Sequence, residues 1–176
     1  MTPITYSLVE WLATGTALAA CATDVTFRRV PNVLTFGATV LALALHGALH
    51  GPRGVFYAVI GWLLGLSLFL PLFALRGLGG GDVKLLAALG AFVGPRLVIW
   101  TALYGAMAGG IFAVIVTLSH GVLARTAANV WLILTQWRVA GVAPVDGFTL
   151  QDSKSARLPY ALPLTCGLLV ALWLEA

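Results

Sequence analysis

Six apolar runs, at 4–22, 33–49, 55–75, 83–93, 97–118 and 158–174, take up most of a 176-residue chain. Charged residues make up only 9% of it, against about a quarter in an ordinary soluble domain. With 60% apolar residues and a mean hydropathy of +0.99, the chain reads as an integral membrane protein. Backbone groups in hydrocarbon must bond to one another, which leaves helices as the solution for runs of this kind. A span takes about 20 residues, so the runs predict an all-α, polytopic membrane bundle of about six transmembrane helices. The same runs leave no room for a second unit, and 1–176 is read as a single membrane-embedded domain.

Alternate crossing by six spans sorts the basic residues. Of ten lysines and arginines, Arg28, Arg29, Arg76, Lys84, Arg125, Arg138, Lys154 and Arg157 fall on one side, leaving Arg53 and Arg96 on the other. Basic residues near membrane ends favour the cytoplasm, so the amino terminus is expected outside. The net charge of +4 and pI near 9.5 therefore reflect orientation in a multi-pass membrane protein. Nucleic-acid binding would need a solvated basic face, and none is evident. The first run has no basic residues before it and carries Glu10 within it, so it is read as a membrane helix and not as a cleaved signal.

Two stretches depart from simple spans. The run at 83–93 would be roughly 16 Å long, about half of a hydrocarbon core near 30 Å. Either its helix continues with a kink through Gly94-Pro95, or Asp82 at its start lies in a recess below the membrane surface. Between the last two runs, Ala127, Val130, Trp131, Leu134 and Trp137 recur at three- and four-residue spacing. This predicts a cytoplasmic, interfacial amphipathic helix over 122–139, with a seventh span as the alternative. The polar stretch 141–156, with Pro144 and Gly147, reads as a loop.

Chemistry concentrates in two carboxylates. Asp82 sits in Gly79-Gly80-Gly81-Asp82-Val83-Lys84, between apolar runs, and Asp24 closes the first run ahead of Arg28-Arg29-Val30-Pro31-Asn32. A carboxylate next to hydrocarbon is expensive and marks a functional site when it occurs. In the six-span arrangement both fall on the cytoplasmic side. Two carboxylates sharing a site do not both ionise easily, so one can take a proton from water while the other donates to a peptide carbonyl. Which of the two plays which part stays open. Taken singly, Asp82 could be a helix cap and Asp24 an interfacial residue neutralised by an arginine. Jointly, with three glycines that allow close approach of an extended chain, they read as a hydrolytic pair.

These segments resemble the two signature regions of the type IV prepilin peptidases, membrane aspartic proteases with a GxGD motif. The resemblance rests on Asp24 followed after six residues by Pro31-Asn32, together with Gly79-Gly80-Gly81-Asp82-Val83-Lys84, in matching order between apolar runs. It implies that Asp24 and Asp82 are catalytic, and that Gly79, Gly80, Gly81, Lys84, Pro31 and Asn32 support the site or contact substrate. It further implies removal of a short basic leader from prepilins at the cytoplasmic face, with lipid and a pilus or secretion assembly system as partners. Larger members carry paired C-x-x-C motifs and methylate the new amino terminus. The absence of such pairs here implies cleavage without methylation, and no cofactor. The small size and Arg157-Leu158-Pro159-Tyr160 resemble the peptidases of Flp/Tad pili.

A proton-coupled transporter or channel using Asp24 and Asp82 as a relay is the rival from another class. A relay needs carboxylates spread in depth, whereas these share one side. A scaffold without catalysis is a third reading. His46 and His50 are spaced to share a metal, but no third ligand accompanies them, so they are read as interfacial and no metal is expected. Cys21 and Cys166 are read as small buried hydrophobes. Gly61, Gly65, Gly105, Gly109 and Gly110 are read as close-packing positions between helices.

Overall fold

The computed structural model describes residues 3–141 and 160–175. They form helices α1 (Pro3–Phe27), α2 (Asn32–Ala74), α3 (Gly80–Ser119), α4 (Leu123–Ala140) and α5 (Ala161–Glu175), with no strand among the described residues. The expected loop beyond Gly141 and the segment 157–159 lie outside the described residues.

Six apolar runs thus become four apolar helices, because α2 and α3 each absorb two. The join in α2 is Gly51, at φ 61° and ψ −149°. That in α3 is Gly94, at φ 79° and ψ −177°. Both conformations belong to glycine almost alone. The chain folds back at each. A Cβ on Gly47 would lie 3.1 Å from the Val55 side chain, and one on Gly90 would lie 2.9 Å from that of Val98. Residues eight apart along an unbroken helix would be separated by about 12 Å. Pro52 and Pro95 directly follow the two glycines and open the returning limbs, where a missing N–H does no harm. The run at 83–93 therefore neither kinks onward nor stands alone. It is the first limb of a hairpin.

That limb, 80–93, is the axis of the molecule. Every residue from Leu85 to Gly94 is buried, as expected of a helix enclosed on all sides, and α3 touches all four of the other helices. Small residues bring the neighbours close. Gly61 and Gly90 cross so tightly that a Cβ on either would strike the other's carbonyl, and Gly65 packs on the backbone at Leu86 and Ala87 in the same way. Gly105 and Gly109 meet Leu164 and Pro163 of α5 and Tyr160 just ahead of it, whereas Gly110 faces open space. Four of the five glycines assigned to helix packing do pack, and Gly110 does not.

The outer surface is apolar. Val33 is 86% exposed and Trp173 84% exposed, amid many exposed leucines and valines, a larger apolar patch than a water-soluble monomer carries. Among the described residues, α2 and α3 are long and apolar enough to cross a membrane, and α5 is a shorter apolar helix. Cys166 lies on this exposed side of α5, against expectation, while Cys21 is half-buried. The helix expected at 122–139 is α4, displaced by one residue. Val130, Trp131 and Leu134 of its apolar stripe line a cleft shared with Ala113, Val114 and Thr117 of α3.

Candidate active site

Asp24 is 7% exposed because of its place on a stripe. Val9, Ala13, Ala17 and Ala20 are all buried, and at three- and four-residue spacing they define the inward face of α1. Asp24 continues that face by one turn. The alanines let α5 approach closely, so that Thr165 Oγ1 donates to the Ala17 carbonyl at 3.1 Å. One turn further on, the backbone N–H of Ala161 donates to Asp24 Oδ2 at 3.2 Å. The helix stops just beyond, at Arg28, which adopts the left-handed region with φ 52°.

Asp82 lies in the first turn of α3, three residues after Gly79, the N-cap. It reaches back to accept the Gly79 N–H, the posture of the acidic partner in a capping box. The cap reading and the site reading of Asp82 thus coexist. The charge of Asp24 reaches Asp82, so the structure brings together the pair picked out from the sequence.

Each glycine ahead of Asp82 has its own neighbour. A Cβ on Gly79 would lie 3.1 Å from Asp82 Oδ2, one on Gly80 would lie 3.4 Å from the Phe73 ring, and one on Gly81 would lie 3.3 Å from Val30. The run lets three elements close around one carboxylate. Lys84 Nζ donates to Asn32 Oδ1 at 3.0 Å and stands 5.5 Å above the Phe36 ring. Pro31 is the N-cap of α2, and its carbonyl accepts the N–H groups of Leu34 and Thr35. Asn32 thus ties the start of α2 to the start of α3, while Pro31 caps α2 itself. Among the described residues no group of three or more His, Cys, Asp or Glu could hold a metal.

Sequence reasoning reached Tyr160 only within Arg157-Leu158-Pro159-Tyr160 and gave it no place in the site. It directly precedes Ala161, its ring meets Phe69 edge-on at 5.8 Å between centroids, and it feels the charge of Asp82. The available signal was a tyrosine at the mouth of the last apolar run. His46 was also misread. It is 4% exposed, and its Nε2 donates to the Phe92 carbonyl at 2.9 Å. Glu10 sits about 21 Å along α1 from Asp24, away from this site.

The profile of the type IV leader peptidase family matches residues 11–114. The chain belongs to that family. The stretch that carries this membership of the leader peptidases contains Asp24 and Asp82 and ends in the second limb of α3, short of α5. A type 4 prepilin-like proteins leader peptide-processing enzyme of Escherichia coli O78:H11 (strain H10407 / ETEC) is 33% identical over 117 residues. The alignment covers 62% of this chain and 44% of that relative, so the chain spans less than half of the relative's length. No solved structure matches.

Proposed function

We propose that this chain is a membrane-embedded aspartic endopeptidase that removes the short basic leader of Flp-type prepilins at the cytoplasmic face of the inner membrane. The observation that carries the proposal is the convergence of Asp24 and Asp82 at one end of the bundle, in electrostatic contact, within the stretch that establishes the family. Water between the carboxylates loses a proton to one of them and attacks the scissile carbonyl carbon. The other carboxylate, protonated, donates to the carbonyl oxygen. The tetrahedral intermediate then collapses with proton transfer to the departing amine, and the pair returns to its starting state.

The cytoplasmic assignment draws support from the basic residues beside the pair, Arg28, Arg29, Arg76 and Lys84, set against Arg53 by the Gly51 reversal. The six limbs formed by α1, the two halves of α2, the two halves of α3, and α5 support six crossings. A transporter relay is not favoured, since both carboxylates lie at the same end. The test is cleavage of a synthetic prepilin by purified full-length protein. Asp24→Asn and Asp82→Asn should each abolish leader removal, and substantial cleavage by either variant would remove the basis for the pair.

A further inference from the structure

We propose that Tyr160 is a third functional group of this site, its phenol O–H donating a hydrogen bond to the scissile carbonyl oxygen across from Asp82. The inference rests on the peptidase reading above and names a residue that neither the signature segments nor the matched family region contains.

The placement follows from the backbone. The Ala161 N–H is bonded to Asp24 Oδ2, so the preceding residue is anchored within one peptide unit of the first carboxylate. From there the Tyr160 ring is held on two sides. Phe69, itself buried, meets it edge-on at 5.8 Å. Gly109 lies behind it, where an added Cβ would come 3.3 Å from Cε2 and 3.5 Å from the hydroxyl oxygen. Neither neighbour offers the hydroxyl a polar side chain.

Tyr160 is half-buried, and its hydroxyl is not one of the buried polar atoms left without a partner; a phenol both donates and accepts, so it can serve a substrate group. Asp82 lies within electrostatic reach of it but is not bonded to it. The phenol thus stands beside both carboxylates, anchored next to Asp24 through Ala161 and within the electrostatic influence of Asp82. A tyrosine phenol keeps its proton at neutral pH and is available there as a donor. A donor of this kind strengthens its bond as charge develops on the carbonyl oxygen. The tyrosine keeps its proton throughout, and the transfers between water, the aspartates and the amine are unchanged.

Tyr160→Phe tests this, because it removes the hydroxyl and keeps the ring against Phe69 and Gly109. With full-length protein in detergent, kcat on a synthetic prepilin should fall by about 10²-fold, with KM within about twofold and the melting temperature unchanged. A variant that cleaves at the wild-type rate would overturn the proposal. A second readout separates a substrate contact from packing. A peptide ketone at the scissile position, which hydrates to resemble the intermediate, should bind Tyr160→Phe at least tenfold more weakly than wild type. A reduced-amide peptide lacking the carbonyl oxygen should bind both equally, and equal weakening of both ligands would overturn the proposal. If Asp24→Asn and Asp82→Asn are inactive while Tyr160→Phe is not impaired, this inference alone fails. If either aspartate variant cleaves, the peptidase mechanism beneath it fails.

Discussion

Lys84 and Asn32 were picked out from the sequence only as companions of the aspartates, and the structure gives them a shared task. Their 3.0 Å hydrogen bond links the first turn of α3, which carries Asp82, to the first turn of α2. A residue pair that acts as one link should give losses that do not add. Lys84→Met and Asn32→Leu are each expected to lower cleavage by roughly two- to tenfold, with the double variant no worse than the more affected single one. Additive losses in steady-state assays would mean the two residues serve separate purposes. Gly90 supports a second residue-scale prediction. Its Cα faces the Gly61 carbonyl too closely for a side chain, so Gly90→Ala should lose roughly 1–3 kcal/mol of stability, read as lowered resistance to thermal unfolding in detergent. Gly110→Ala, in open space, should change nothing measurable.

The elements were legible in the sequence as far as hydrophobic pattern reaches, and no further. Each apolar run became a helical limb, and the amphipathic spacing around Trp131 located α4 to within one residue. Asp24 and Asp82 stood out because charge amid hydrocarbon is rare. The joins did not stand out, since Gly51-Pro52 and Gly94-Pro95 read equally as loops or kinks until long-range packing fixes the reversal. The roles of His46 and Tyr57 were hidden for the same reason. Pro95 supplies no N–H, and the reversal at Gly94 leaves the last carbonyls of the 80–93 limb without their helical partners. His46 bonds to the Phe92 carbonyl at 2.9 Å, and the Tyr57 hydroxyl approaches that of Val93 at 3.5 Å. Non-helical backbone in an apolar bundle is tolerated where protein satisfies it. His46→Leu removes the closer donor and should destabilise the fold by about 1–3 kcal/mol, whereas His46→Gln, which retains an N–H, should recover part of that loss. Equal stability of all three proteins in a thermal scan would show that the cap contributes nothing.

At the scale of the whole molecule, charge and fold make one testable claim about sidedness. The first limb of α2 leaves the site at Asn32, beside Lys84, and runs about 28 Å to the reversal at Gly51, close to the thickness of a hydrocarbon core near 30 Å. Arg53 is then separated from Arg29 by the depth of the bundle. The second limb of α3 runs back from Gly94 and hands the chain to α4 at Leu123, which puts Arg125 on the side of the aspartates. Positive charge gathers at that end, as expected for a cytoplasmic face. Single cysteines at positions 29, 53 and 125, in a background without Cys21 and Cys166, should therefore react differently with a membrane-impermeant thiol reagent. Position 53 should label from outside intact cells, and positions 29 and 125 only after the membrane is opened. Labelling of 29 and 53 from the same side would mean that the 32–50 limb does not cross, and the aspartate pair would lose its cytoplasmic address. Labelling of 125 together with 53 would instead break the return path of α3 while leaving the pair where it is.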